Sequence, residues 1–277
     1  MDTSPQPIRE KAVDALKNDN VDLISGNHHN LYVRNAKGRE DFVHLAQVAN
    51  NWTENRMVVS DRIQGIGDLR GKRIALDKPT SHAGLNIWLF LLEEGLDVDR
   101  GDLEMVPCPG SPEERWKKVL RGEFDATFVG VPHDMRAASA GARVLPVRPM
   151  PMIRGVTLTT TMSFVRSHEE AIRRLVRGVA DTIHFFLTQE EKSLEIMRQH
   201  LPSLLHLESD REVDTLYREW RQSLERKPYP SLQAIGNVFR LALRRDPDIA
   251  DFNPLALWNL HYVRELDDSG YIDSLYA

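Results

Sequence analysis

The sequence predicts an α/β fold in two lobes with a helical C-terminal extension. Short apolar strands alternate with helices from about residue 12 to residue 141. The middle of the chain is electrically balanced, with 13 basic and 13 acidic side chains in residues 64–165, against 7 and 8 in residues 1–60 and 15 and 19 in residues 166–277. The last hundred residues carry helical apolar periodicity almost without interruption.

Each element has a local reason. Ala12, Val13 and Leu16 make a short helical stripe, and residues 21–24 read as a buried strand closing on Ser25-Gly26. Residues 42–49 and 56–60 are two further strands. Glycines at 65, 67 and 71 break the pattern before a strand at 72–76. That strand stops at Asp77-Lys78-Pro79, where Thr80 or Ser81 can cap a helix. The helix stripe is Leu85, Trp88, Leu91 and Leu92, and Gly95 suits the left-handed position after its end. A strand at 103–106 leads through a Pro/Gly loop to a helix ending near Arg121. Residues 126–129 form another strand, followed by Gly130-Val131-Pro132-His133 and a short helix stopping at Gly141. The repeated alternation indicates a parallel sheet. Beyond Ser167, Ile172, Leu175, Val176, Val179, Ile183 and Phe186 recur at helical spacing, as do Val213, Leu216, Tyr217, Trp220 and Leu224. Asn253-Pro254 starts a third helix as cap and first-turn proline.

Residues 15–26 echo residues 119–130. Each is a helix end, a tight turn and an apolar strand led by an aspartate and closing on glycine. Two such units about a hundred residues apart fit two similarly built lobes.

Composition excludes several functions. The 277 residues are 41% hydrophobic and 28% charged, enough to bury a core, and the net charge of −5 leaves no general field for nucleic acid. A single cysteine, Cys108, rules out an internal disulfide framework and a cysteine zinc cluster. The longest purely apolar run is residues 87–92, far short of the ~20 residues that span a bilayer. Met1-Asp2-Thr3-Ser4-Pro5 lacks the basic flank and apolar stretch of a secretory signal, so the chain as written reads as cytoplasmic.

The glycines at 65, 67 and 71 precede a strand, whereas a dinucleotide loop follows one, so no nucleotide site is expected there. Asn51-Trp52-Thr53 is a formal glycosylation sequon without further support. The informative residues are His28, His82 and His133, each just beyond a strand. Loops beyond the carboxyl ends of parallel strands form ligand crevices, and helix N-termini there offer N–H groups to an anion. Three imidazoles converging on one cleft is one reading; three solvated loop residues is the other. No spacing fixes two metal ligands on one helical face, and no cofactor is expected. His200 and His206 flank Pro202 and read as surface residues. Cys108 reads as a tolerated thiol, and Arg173, Arg174 and Arg177 as a solvated helix face.

At Asp68-Leu69-Arg70-Gly71-Lys72-Arg73-Ile74-Ala75-Leu76 the chain resembles type II periplasmic solute-binding proteins, in the branch that binds sulfonates, nitrate, taurine and thiamine precursors. Leu120-Arg121-Gly122-Glu123-Phe124-Asp125-Ala126 resembles the later L-x-G-x-x-D-A segment of that family, and Ser167-His168-Glu169-Glu170-Ala171 the helix start on return to the first lobe. The resemblance covers roughly residues 10–200. It implies two α/β lobes joined by two crossover strands and closing on a small ligand, with lobe 1 formed by residues 1–62 plus 164–277 and lobe 2 by 63–163. It also implies that Ser25, Asn27, His28, Thr80, Ser81, His82, Gly130 and His133 line the interlobe cleft. The family's opening strand–helix unit is absent here, which leads to an expectation of an exposed sheet edge and self-association.

The expected function is capture of a small anionic or heteroaromatic ligand, with an ABC transporter permease as partner if the chain is exported. The alternative is a cytoplasmic lyase on the same scaffold, a decarboxylase or desulfinase of an aromatic acid, in which one of the three histidines protonates a carbanion. The sequence assigns no catalytic residue. If the three histidines share one cleft, an anionic ligand is expected to bind more tightly near pH 6 than near pH 8.

Overall fold

The computed structural model describes residues 12–26, 28–38, 40–52 and 56–277. Among them the strands are β1 (Ile24–Ser25), β2 (Phe42–Trp52), β3 (Arg56–Val59), β4 (Arg73–Leu76), β5 (Glu104–Pro107), β6 (Ala126–Val129), β7 (Arg143–Pro146) and β8 (Met150–Thr161). The helices are α1 (Ala12–Lys17), α2 (His28–Ala36), α3 (His82–Glu93), α4 (Pro112–Leu120), α5 (His133–Ser139), α6 (Met162–Ser167), α7 (Glu169–Thr188), α8 (Glu190–Leu205), α9 (Asp210–Ser223), α10 (Leu232–Arg245), α11 (His261–Asp268) and α12 (Tyr271–Ser274).

The chain divides into two compact α/β units. Unit 1 comprises Met1–Asn51, Pro151–Thr188 and Leu224–Ala277, and unit 2 comprises Trp52–Met150 and Gln189–Ser223. These boundaries differ from those expected from the sequence. The first break falls at the end of β2, not at residue 62, and the second at the start of β8, not at 163. The segment 189–223 sits in unit 2, whereas the sequence reading put all of 164–277 in one lobe. The reason is visible in two ion pairs. Arg136 on α5 reaches Glu212 on α9 at 2.8 Å, and Arg56 on β3 reaches Glu219 on α9 at 2.8 Å. Both Glu212 and the Arg136 guanidinium are largely buried, so the pairing holds α9 to the sheet side of its own unit.

Unit 1 holds a three-stranded sheet in the order β1-β8-β2, with β1 antiparallel to β8 and Ile24 opposite Thr159. The strand expected at 21–24 is therefore short and shifted, and β8 was not anticipated. An exposed β2 edge does not occur along its full length. Gln47 N–H donates to Pro228 O at 2.9 Å, Asn259 N–H to His44 O at 2.9 Å, and Glu225 N–H to Val48 O at 3.3 Å. Returning C-terminal segments thus satisfy backbone groups that an edge strand would otherwise present. The apolar core packs Val43, Leu45 and Ala46 of β2 against Val165, Ile172 and Val176 of α6 and α7 and against Tyr262 and Val263 of α11.

Unit 2 holds a five-stranded sheet in the order β5-β4-β6-β3-β7. β4 runs parallel to both β5 and β6, as the alternation predicts. β3 runs antiparallel to β6 and β7, so the sheet is mixed. β3 connects to β4 through a loop with a single 3-10 turn (Ile66–Leu69), with no crossover helix to restore a parallel direction. Val58, Trp116, Val119, Val129 and Ala137 form one apolar cluster. Trp52, Phe90 and Phe128 form another, with ring centroids 5.8–6.2 Å apart. The long helical run after Ser167 is real, but it is shared: α8 and α9 serve unit 2 and the rest serve unit 1. No helix among the described residues is long and apolar enough to cross a membrane.

Candidate functional site

In unit 2 the parallel strands β5, β4 and β6 end at one edge of the sheet, and each is followed there by a helix. After β4 the chain turns through Lys78-Pro79-Thr80. Ser81 caps α3, its hydroxyl accepting the Gly84 N–H at 3.1 Å and donating to Lys78 O at 2.7 Å. The start of α3 lies so close to this turn that a Cβ on Gly84 would sit 2.4 Å from Pro79 O. After β5, Ser111 caps α4 in a capping box with Glu114. After β6 come Gly130, a cis Val131–Pro132 bond and His133 at the start of α5. Thr80, Ser81, His82, Gly130 and His133 therefore share one edge of one sheet.

A residue the sequence did not single out belongs to the same edge. Arg115 on α4 is 8% exposed and donates to Gly110 O at 2.6 Å, bracing the loop that carries Cys108. Burial lowers its pKa, while Asp77 and Cys108 act the other way. Cys108 is buried, with Lys118 Nζ 3.4 Å from its sulfur. Burial also lowers the pKa of His133, aided by Arg136 and opposed by Glu113.

Ser25 and His28 lie in unit 1, and Asn27 lies outside the described residues. His28 opens α2 directly after β1 and is 4% exposed. Its Nε2 is 2.7 Å from the Thr157 hydroxyl of β8, and that hydroxyl donates to Oε1 of Gln47 on β2. Gln47 Nε2 donates to Arg154 O at 2.6 Å and to Ala49 O. A second buried pair lies beside the first: His44 Nδ1 is 2.7 Å from the Thr159 hydroxyl, and the His44 ring sits 4.7 Å from that of Trp258. Burial pushes both His28 and His44 down to about 3, and His29 down to about 4. These imidazoles are neutral at physiological pH. The expectation that His28 gains charge near pH 6.5 is therefore corrected, because burial disfavours the cation and His44, His29 and Arg154 act in the same direction.

Gln47, His44 and Thr157 were missed because one sequence does not distinguish a buried polar network from a surface face. The available signal was slight: His44 and Gln47 interrupt the otherwise apolar run 42–49, and hydroxyls recur at 157, 159, 160 and 161.

Comparisons with known proteins bear on the fold. Residues 7–143 match the family described as the periplasmic substrate-binding protein of a phosphonate ABC transporter. No curated protein matches the sequence. Among solved structures, the chain is similar to a periplasmic sulfonate-binding protein of Methylobacillus flagellatus (18% identity, TM-score 0.66, covering 94% of this chain and 79% of that one). It is also similar to the periplasmic aliphatic sulphonate-binding protein of Escherichia coli (18%, TM-score 0.64, covering 89% and 81%). A third similar structure is the desulfurization enzyme DSZB (16%, TM-score 0.57, covering 89% and 85%). The chain has the type II periplasmic-binding-protein fold. Its likenesses lie on the sulfonate and phosphonate side of that class.

Proposed function

We propose that the chain is a small-molecule binder of the solute-binding-protein type, taking a small organic oxyanion such as a phosphonate or sulfonate. The observation that carries this reading is the edge of unit 2, where two capped helix starts, those of α3 and α4, stand beside a buried arginine. Helix N-termini at the carboxyl ends of parallel strands favour anions through unpaired N–H groups and the positive end of the dipole. The proposed ligand-binding residues are Thr80, Ser81, His82, Gly130 and His133 in unit 2, and Ser25, Asn27 and His28 in unit 1. On this reading the partner is an ABC permease and the working compartment is the periplasm, as in the matching family. Self-association is a further expectation, and light scattering of the purified chain tests it.

The lyase reading is weaker on physical grounds. A histidine acid must be protonated near the working pH, and burial moves two of the three candidates, His28 and His133, away from that condition, which leaves His82 as the acid this reading would need. Calorimetry with alkylphosphonates, alkylsulfonates and aromatic carboxylates tests the proposal, alongside assays for sulfite and carbon dioxide release. Saturable binding of one class without turnover supports the binder. Product release supports the lyase, and absence of binding by every class rejects the oxyanion assignment.

A further inference from the structure

We propose that Gln47 and Thr157 are positioning residues that hold His28 in its Nε2–H tautomer, leaving Nδ1 to accept a hydrogen bond. The proposal deepens the reading of the β1–α2 turn as ligand-binding and rests on that reading for its functional consequence.

The argument counts hydrogens along one buried chain of contacts. The amide nitrogen of Gln47 faces two backbone carbonyls, Ala49 O and Arg154 O, the latter at 2.6 Å. Carbonyl oxygens only accept, so this end of the side chain is the nitrogen and both its hydrogens are committed. Gln47 Oε1 then has only lone pairs to offer. The Thr157 hydroxyl bonded to it must spend its single hydrogen there. Thr157 Oγ1 thus meets His28 Nε2, at 2.7 Å, with lone pairs alone. The ring has to supply the hydrogen of that bond.

A neutral imidazole carries one N–H, so a hydrogen on Nε2 leaves a lone pair on Nδ1. The ring is neutral because burial holds its pKa at about 3. Gln47 and Thr157 are fully buried, so water does not compete for these bonds. The consequence is one of specificity. A ligand group meeting this imidazole at Nδ1 must bring an N–H or O–H donor, since a bare oxyanion there would face a lone pair. Neither Gln47 nor Thr157 needs to touch the ligand to impose this choice; both act through the ring.

Nitrogen-15 histidine labelling with two-bond proton–nitrogen correlation spectra at neutral pH tests the tautomer without any ligand. His28→Asn assigns the resonances by their loss. The expected pattern for His28 is a protonated Nε2 and an unprotonated Nδ1. It is retained in Thr157→Ser, which keeps the hydroxyl, and lost to a tautomer mixture in Thr157→Val, which keeps the volume. A protonated Nδ1 in the parent protein, or an unchanged pattern in Thr157→Val, overturns the proposal.

The functional arm uses pairs of oxyanions matched in size, one member bearing an amine or hydroxyl. Thr157→Val is expected to weaken the donor-bearing member about two- to threefold relative to its match, the loss when about a third to a half of the rings keep the competent tautomer, and Thr157→Ser to change neither. If the spectra show the lock but the matched pair is affected equally, the tautomer stands and the reading of this turn as ligand-binding fails.

Discussion

The backbone N–H of Arg73 donates to Oδ2 of Asp125 at 2.9 Å, and the backbone N–H of Asp125 returns a bond to Arg73 O at 3.0 Å. The two segments that carry the family resemblance in unit 2 thus meet in one reciprocal pair. Their residues are architectural: Asp68 accepts from the N–H groups of Gln64 and Gly65, and Gly71 N–H donates to Asp102 O at 2.7 Å in a left-handed turn. Asp125 sets where β6 begins beside β4, and with it the edge on which Thr80 and His133 emerge.

Replacing Asp125 by Ala should therefore destabilise unit 2 by about 1–2 kcal/mol, the range for a hydrogen bond to a charged acceptor discounted for exposure. Asp125→Asn, which keeps one acceptor, should cost less. Urea unfolding of both variants checks this, and equal stability of Asp125→Ala and the parent would show that the pair does not set the register.

The same pair explains what could be read from the sequence. The motifs around Arg73 and Asp125, and the echo between residues 15–26 and 119–130, are local turn chemistry that a single chain displays. Both echoing segments contain a left-handed residue after their helix, Asp19 in one and Gly122 in the other, followed by a strand. The strand-end positions of His82 and His133 were legible for the same reason. The assignment of α9 to unit 2 was not, because it depends on long-range pairs such as Arg136 with Glu212, which leave no periodic mark. The charge state of His28 was equally hidden. It is set by burial against β8, whose Thr157 is 129 residues away in sequence.

Acid should weaken unit 1 well above the range in which carboxylates titrate. His28, His29 and His44 have folded values of about 3, 4 and 3 against an ordinary 6.5. Each depressed base is neutral in both states above pH 6.5. Below it the unfolded chain takes up protons that the folded chain refuses, so stability falls until the folded values are reached. At about pH 5 each contributes a loss of roughly 2 kcal/mol, and three together approach the whole stability of an ordinary domain. Circular dichroism and hydrogen exchange as functions of pH should show unit 1 opening near pH 5. His29→Asn should make the fall shallower. A flat profile down to pH 4 would contradict the buried neutral histidines.

Ligand affinity should not rise between pH 8 and pH 6 through His28, the reverse of what its position after a strand suggests. Its folded value near 3 leaves it uncharged over that whole interval. Burial lowers the pKa of His133 as well, with Glu113 and Asp134 opposing. Calorimetry with an alkylsulfonate, whose charge is constant over the interval, on a His82→Asn protein that removes the third histidine, should give constants agreeing within about twofold. A tenfold tightening at pH 6 that disappears in His28→Asn would restore the charged-imidazole reading.

Two helix glycines make opposite predictions, and the pair isolates the tight start of α3. At Gly178, within α7, an added Cβ meets nothing within 4 Å. Gly178→Ala should stabilise unit 1 by about 0.5–1 kcal/mol, because alanine loses less backbone entropy in a helix interior. At Gly84 the same Cβ would lie 2.4 Å from Pro79 O and 2.5 Å from Lys78 O, both backbone atoms that cannot swing aside. Overpacking of this kind costs about 1–3 kcal/mol, which outweighs the gain in helix propensity. Gly84→Ala should therefore destabilise unit 2 and move the start of α3 away from the Lys78–Thr80 turn. That movement would loosen the Ser81 cap, whose hydroxyl bridges Gly84 N–H and Lys78 O. On the proposed function, Gly84→Ala should also weaken oxyanion binding while Gly178→Ala leaves it unchanged. Thermal unfolding and calorimetry on the two variants supply both readouts. Intact affinity in a destabilised Gly84→Ala protein would remove the β4–α3 turn from the binding site while leaving the packing argument in place.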